Sequence, residues 1–340
     1  MQLKPVSQQV VVVFGASSGI GRGSALEFAR RGARLVVAAR SESGLASLVE
    51  EIELLGAQAV AVRADAADFE QVKSVADKVI SVYGRLDTWV HAAATAVIGR
   101  FMDTTPEEFK RVIEVGLLGQ VYGAMVALPH LKDDGGAFIS ISSVEARRAL
   151  PLQSAYASAK HGAAGFLESL RVELMYDKVP VSITEILPSV INTPFYDNAR
   201  TKIGVKPTSV PPFYSPDIVV DAVLYAAENP IREMTVGDTG RVLDLAQRLS
   251  PSLVDSLMAV FAIPLQHSKK PKAETDPNNL FEPVESDPAF NRADGEYRNL
   301  VIPSFFDWLD KSPLAKPALV ASLGAATLML TQALSNDRKK

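Results

Sequence analysis

The chain contains no cysteine. Disulfides, thiolate metal sites and a cysteine nucleophile are excluded together, and the absence is compatible with a reducing compartment. Histidine is scarce. His91, His130, His161 and His267 are the four present, none in an H-E-x-x-H spacing, so no metal site is expected. Basic residues form no run in the body of the chain and the net charge is −4, which argues against nucleic acid as a partner. Met1 to Gln9 is polar and lacks the apolar core of a secretory signal. The 340 residues, 47% of them hydrophobic, suffice for one large domain plus an extension, or for two small domains.

What is present alternates. Val10–Phe14, Leu35–Ala39, Ala59–Arg63, Thr88–Ala92, Ala137–Ser142 and Val181–Leu187 are short apolar runs. They read as strands buried on both faces, the habit of parallel sheets. Helical patterns lie between them: one ending at Arg31 before Gly32, then Glu42–Leu55, Phe69–Val82, a helix within Pro106–Leu131, and Tyr156–Tyr176. Met234–Gly237 supplies a further strand. The alternation predicts an α/β fold, a Rossmann-type doubly wound parallel sheet of about seven strands.

After Leu187 the pattern changes. Thr193–Pro216 reads as a long loop, Asp217–Glu228 as a helix, and Leu243–Phe261 as helical but broken at Pro251. Gln266 to Arg298 is polar and contains four prolines, the composition of a linker or surface wrap. Pro317–Asn336 carries no charge and precedes Asp337-Arg338-Lys339-Lys340. The division expected is a nucleotide-binding catalytic domain over 1–240, a helical then polar extension over 241–313, and an apolar helix over 314–340.

The first strand runs into Gly15-Ala-Ser-Ser-Gly19-Ile-Gly21. Glycine is needed where backbone turns sharply and where it must approach a pyrophosphate, and the next helix aims its free N–H groups at the phosphates. An NAD site usually ends the second strand with a carboxylate for the ribose diol. Here Ala39 and Arg40 stand there, followed by Ser41. A planar guanidinium suits a 2′-phosphate, so NADP is the expected cofactor, with Arg22 or Ser41 assisting. A plain surface arginine is the alternative. Asp65, after the third strand, is either an adenine contact or the cap of the next helix.

Tyr156-Ala-Ser-Ala-Lys160 places a phenol and an ammonium at i and i+4 on one helix face. A nearby cation favours the phenolate, so the pair can pass a proton to or from a carbonyl or alcohol oxygen while a nicotinamide exchanges hydride. Ser143 closes the preceding strand and can hydrogen-bond the same oxygen.

Taken together, the glycine motif, Asp65, Ser143, Tyr156 with Lys160 and the Pro188-Ser-Val-Ile-Asn-Thr193 turn resemble the short-chain dehydrogenase/reductase family over about residues 8 to 240. The thirteen-residue step from Ser143 to Tyr156 also matches. The resemblance implies an oxidoreductase acting on a carbonyl or alcohol. In it Tyr156 is the general acid/base, Lys160 lowers its pKa and binds the nicotinamide ribose, and Ser143 orients substrate. It assigns Gly15, Ser17, Ser18, Gly19, Ile20, Gly21, Arg40, Asp65, Ala92, Tyr156, Lys160 and Thr193 to the cofactor, and implies a homo-oligomer.

Four departures stand out. Phe14 replaces a threonine before the first glycine, and His91-Ala-Ala-Ala94 replaces N-N-A-G. Both ends have become less polar together, which suggests repacking. Gly116 stands where the family has a catalytic asparagine that holds a relay water, and Ser189 replaces the glycine of the proline turn.

Substrate contacts are expected from Ser143, Glu145, Leu150, Gln153, Phe195, Tyr196 and Pro211-Pro-Phe-Tyr214, a mix that suits an apolar carbonyl or alcohol. The alternative is that the aromatics only pack a lid. For 317–336, three roles stand open: a single membrane anchor, a helix in a dimer interface, or a docked amphipathic tail. No face is strongly polar, and small residues suit helix contacts in lipid, which places the anchor first. The catalytic domain is then cytoplasmic.

Overall fold

The structure is a computed structural model that describes residues 1–285 and 287–305. The expected tail helix at 317–336 lies outside the described residues. Met1–Ile302 form one compact unit.

The main strands are β1 (Val10–Phe14), β2 (Arg34–Ala39), β3 (Ala59–Arg63), β4 (Thr88–His91), β5 (Gly136–Ile141), β6 (Val181–Pro188) and β7 (Glu233–Val236). They form one seven-stranded sheet in the order β7-β6-β5-β4-β1-β2-β3. Every pairing is parallel. The order reverses between β1 and β4, and ligands of such sheets bind at that switch point, beyond the carboxyl ends of the strands.

The helices are α1 (Gly19–Arg30), α2 (Glu42–Leu54), α3 (Phe69–Tyr83), α4 (Pro106–Ile113), α5 (Gly119–Leu131), α6 (Ser154–Tyr176), α7 (Pro216–Glu228), α8 (Asp238–Leu249) and α9 (Pro251–Leu257). The period of two along β1 explains the layers. Val11 and Val13 pack with Phe28 of α1, Leu48 of α2 and Val223 of α7. Val10, Val12 and Phe14 face the other side, with Val75 and Val79 of α3 and Ala127 of α5. All five β1 residues are buried, which accounts for the unbroken apolar run.

Local chemistry sets the helix ends. Asp68 caps α3 by accepting from the Gln71 N–H, and Gly84 ends it at φ 72°. Asp65 is therefore not the cap. Thr105 and Glu108 form a reciprocal capping box with Pro106 in the first turn of α4. The helix over Pro106–Leu131 is present, but a π turn at Glu114–Leu118 joins α4 to α5. It is the one span among the described residues long and apolar enough to cross a membrane. Half of its apolar window is buried within the protein, in contact with α3 and α6.

The polar stretch after Gln266 is a wrap. His267–Pro271 pairs antiparallel with Val205–Pro207, and Leu280 is fully buried. Pro251 opens α9 rather than kinking a single helix. The loop after Thr193 carries a short helix at Phe195–Asn198 and a bridge-like strand at Arg200–Thr201 that pairs with Val97–Ile98.

Candidate active site

The carboxyl ends of β1, β4, β5 and β6 surround a cleft of about 230 Å³. Its floor is the glycine turn. Gly15 sits at φ +86°, and a Cβ there would collide with the main chain of Ala92 and Ala93. Gly15 N–H donates to the Ala38 carbonyl at 2.7 Å, which ties the turn to β2. Gly19, at φ +55°, faces the Thr193 side chain. Ser17, Ser18, Gly19, Ile20, Gly21, Ala92 and Thr193 all line this cleft, as do Arg40 and Asp65. At Gly15 and Gly21 a Cβ would strike main chain, so glycine alone permits the tight turn that opens α1 onto the cleft, and that turn fits a dinucleotide phosphate.

The first two turns of α6 carry the proposed chemistry. Tyr156 and Lys160 are buried, 9% and 1% exposed. Lys160 Nζ lies 5.4 Å from the centre of the Tyr156 ring and donates to the Ile141 carbonyl at 2.9 Å. Ser143 follows β5 in extended backbone, and its Oγ accepts from the Glu145 N–H at 3.1 Å. Glu145 is buried and accepts from the Leu150 N–H at 3.3 Å. The rings of Phe195 and Tyr196 wall the mouth, with the Phe195 centroid 5.3 Å from that of Tyr156.

Burial dominates the electrostatics. It pushes the Tyr156 phenol well above the ordinary range; the Glu145 charge adds to this and the Ser143 hydroxyl opposes it. The Lys160 ammonium is lowered by burial to about 8, with Glu185 and Glu145 pulling it back up. Burial raises the Glu145 carboxyl to about 8, against the Leu150 amide and the Lys160 charge. Burial thus pushes all three groups toward their neutral forms. Desolvation dominates the phenol, and the lowering by Lys160 that the resemblance implies would have to act against it.

The departures have physical explanations. Phe14 and His91 stack, with ring centroids 5.1 Å apart and planes 6° from parallel. Gly123 makes the room, since a Cβ there would lie 2.6 Å from His91 Nδ1. Burial first, and Lys160 second, lower the imidazole to about 3, so it is neutral. Gly116 lies in the π turn, and its Cβ would sit 3.0 Å from that of Ala159, next to Lys160. The Ser189 hydroxyl is taken up by Thr239.

Several expected residues are engaged elsewhere. Arg22 is buried and bonds the Gly44 carbonyl at 3.0 Å and Glu51 at 2.9 Å, so it ties α1 to α2 rather than facing the cleft. Asp65 pairs with Arg111 at 2.6 Å and accepts from the Ala67 N–H at 3.0 Å. Gln153 does not line the cleft; its amide donates to Gln266 at 2.9 Å. Phe213 and Tyr214 are core residues, with Phe213 stacked on Tyr297. Leu150, Phe195 and Tyr196 do line it. Sequence reasoning missed the later segment that also lines the cleft, with Asn279, Pro283, Val284, Phe290 and Asn291.

A seven-stranded parallel sheet, a glycine cradle at its switch point, and a serine, tyrosine and lysine converging above it describe a nucleotide-dependent oxidoreductase. Residues 9–204 match the family described as short chain dehydrogenase, and the chain belongs to that family. The similar proteins include an uncharacterized oxidoreductase YxnA of Bacillus subtilis, 38% identical over 83% of this chain and 80% of its own length. The putative oxidoreductase SadH of Mycobacterium tuberculosis is 31% identical over 74% of this chain and 94% of its own. Among solved structures, an alcohol dehydrogenase from Thermococcus sibiricus, complexed with 5-hydroxy-NADP, superposes with a TM-score of 0.59. It is 27% identical and covers 67% of this chain and 95% of its own.

Proposed function

We propose that the protein is an NADP-dependent oxidoreductase that reduces an apolar ketone or aldehyde, with Tyr156 as proton donor. The observation that carries this reading is the convergence of Tyr156, Ser143 and Lys160 on one cleft with the glycine cradle. The nicotinamide, when bound, supplies the hydride. Ser143 and Tyr156 hold the substrate oxygen by hydrogen bonds. A phenol raised by burial stays protonated at neutral pH and donates to that oxygen as charge builds on it. In the reverse reaction, alcohol oxidation, the same group acts as base in its phenolate form. Lys160, cationic below about 8, stabilises the phenolate left behind. Phe195, Tyr196 and Leu150 offer the substrate an apolar wall that excludes water.

Arg40 and Ser41, with no carboxylate at the end of β2, support NADP over NAD. The solved relative holding an NADP derivative supports the same choice. Residues 1–240 carry the catalysis, as a homo-oligomer by analogy with the family. The 317–336 segment, outside the described residues, is assigned as a single anchor that holds a cytoplasmic catalytic domain at a membrane. Membrane fractionation with and without residues 314–340 tests that assignment, and an unchanged soluble distribution contradicts it. The function itself is tested by NADPH consumption across a panel of apolar ketones and aldehydes. Turnover on part of the panel is expected. NADPH binding without turnover on any member would instead mark a nucleotide-binding protein that has lost catalysis, a reading that Gly116 in place of the relay asparagine favours.

A further inference from the structure

The anion-binding groups at the end of β2 already hold an anion, and it belongs to the chain. The Glu285 carboxylate accepts from the Glu42 N–H at 2.9 Å, the Ser43 N–H at 3.0 Å and the Ser41 hydroxyl at 3.2 Å, and also from the Ser43 hydroxyl. It thus sits on the first turn of α2, where free N–H groups and the helix dipole favour negative charge. Burial works against its charge, but the Ser43 and Glu42 donors outweigh that and hold the carboxyl below its usual range.

Arg40, beside it, is also occupied by the same segment. Its guanidinium donates to the Phe281 carbonyl at 2.9 Å and to the Asn279 carbonyl. Further along, the Arg292 carbonyl accepts from the Gly19 N–H at 2.9 Å, within the glycine motif. The Gly295 N–H then donates to the Asn192 carbonyl at 2.9 Å. The segment therefore crosses the cleft from the adenosine end to the turn after β6, as a strap.

The strap is fitted rather than draped. A Cβ at Gly44 would lie 2.7 Å from Asn291 Oδ1, and one at Gly295 would lie 2.9 Å from the Thr193 carbonyl oxygen. Both glycines leave room for its passage. With the strap in place the cleft measures about 230 Å³, below the range of about 300–1,000 Å³ typical of ligand sites.

A phosphate dianion and a carboxylate cannot share one set of donors, because like charges repel and each donor is used once. A free 2′-hydroxyl makes no such demand. We propose that Glu285 is an internal competitor for the cofactor's 2′-phosphate, so that NADP(H) binds by displacing its carboxylate from the first turn of α2, a step that NAD(H) does not need. The inference rests on the reading of Arg40 and Ser41 as the 2′-phosphate clamp. Glu285 then sets the strength of cofactor discrimination, since a 2′-phosphate site that is occupied most of the time binds more weakly by the fraction free.

The test uses the full-length protein. NADPH and NADH affinities are measured for wild type and Glu285→Gln, and hydrogen exchange of the 279–297 peptides is followed in wild type with each cofactor. Glu285→Gln should bind NADPH about three- to thirtyfold more tightly, the effect of removing a charge-assisted competitor, with NADH unchanged. In wild type, NADPH should speed exchange around Glu285 more than NADH does. Unchanged NADPH affinity in the variant, a selective loss of NADH affinity, or strap exchange that NADPH fails to speed each overturns the proposal. If wild type prefers NADPH and the variant is unaltered, the competitor is refuted and the NADP reading survives. If wild type prefers NADH and the variant turns to NADPH, the competitor stands and the NADP reading of the native enzyme falls.

Discussion

The imidazole of His91 stacks flat on the ring of Phe14, 5.1 Å between centroids, at the junction of β1 and β4. The pair forms an apolar contact at the floor of the cofactor cleft, where relatives place polar groups. Aromatic pairs contribute about 0.5–1.5 kcal/mol beyond their area burial. A double-mutant cycle of Phe14→Leu and His91→Asn, read by urea unfolding, should return a coupling energy in that range; additivity would show the contact to be incidental. His91 also has an acid signature. Its folded pKa of about 3 lies below the unfolded value near 6.5. The unfolded chain takes up the proton first, so stability is full above about pH 6.5 and is lost as pH falls toward 3. His91→Asn should flatten that part of the stability profile.

The second expectation concerns Gly116. Restoring the family's asparagine should not restore a relay, because a side chain there meets Ala159 at 3.0 Å. Overpacking of this kind costs about 1–3 kcal/mol. Gly116→Asn should lower both the unfolding midpoint and NADPH turnover. Adding Ala159→Gly should recover part of the midpoint, after allowance for the helix cost of the new glycine, about 1 kcal/mol. A stable single variant with raised turnover would show the space to be adequate.

A third follows from Glu145. Its folded pKa of about 8 lies above the ordinary value of 4.5. The folded protein therefore holds a proton that the unfolded chain releases, and the contribution to stability is full below about pH 4.5 and lost as pH rises through 8. Glu145→Gln, which mimics the protonated acid, should remove that decline between about pH 5 and 8 in thermal melts. A profile parallel to wild type would mean that Glu145 is ionised in the folded state.

A fourth concerns Arg40. Arg40→Ala should weaken NADPH binding by about 10- to 100-fold, the worth of a charge-assisted hydrogen bond, with a smaller effect on NADH. Affinities for both cofactors that change together in a binding titration, with no selective loss of NADPH, would assign Arg40 to holding the strap alone.

The sheet was legible because each buried strand is a short apolar run and each connecting helix has its own period and stop. The glycine turn and the Tyr156–Lys160 spacing were legible for the same reason: both are local. What was not legible is long-range. Arg40 meets Asn279 and Phe281 across some 240 positions of sequence, and no periodicity marks the proline-interrupted strap. Gln153 reads as available to substrate, yet Gln266, far along the chain, takes up its amide. The pKa of Tyr156 depends on burial by elements far apart in sequence, which the i, i+4 spacing of the lysine does not reveal.

The proposed reaction turns on the Tyr156 proton. Tyr156→Phe keeps the ring against Phe195 and removes only the hydroxyl. The direct measurement is kcat for NADPH-dependent carbonyl reduction in this variant, alongside its NADPH dissociation constant. Loss of general-acid catalysis should lower kcat by about 10²–10⁴-fold with NADPH affinity retained. A variant that turns over substrate at the wild-type rate would contradict the assignment of Tyr156 as the proton donor.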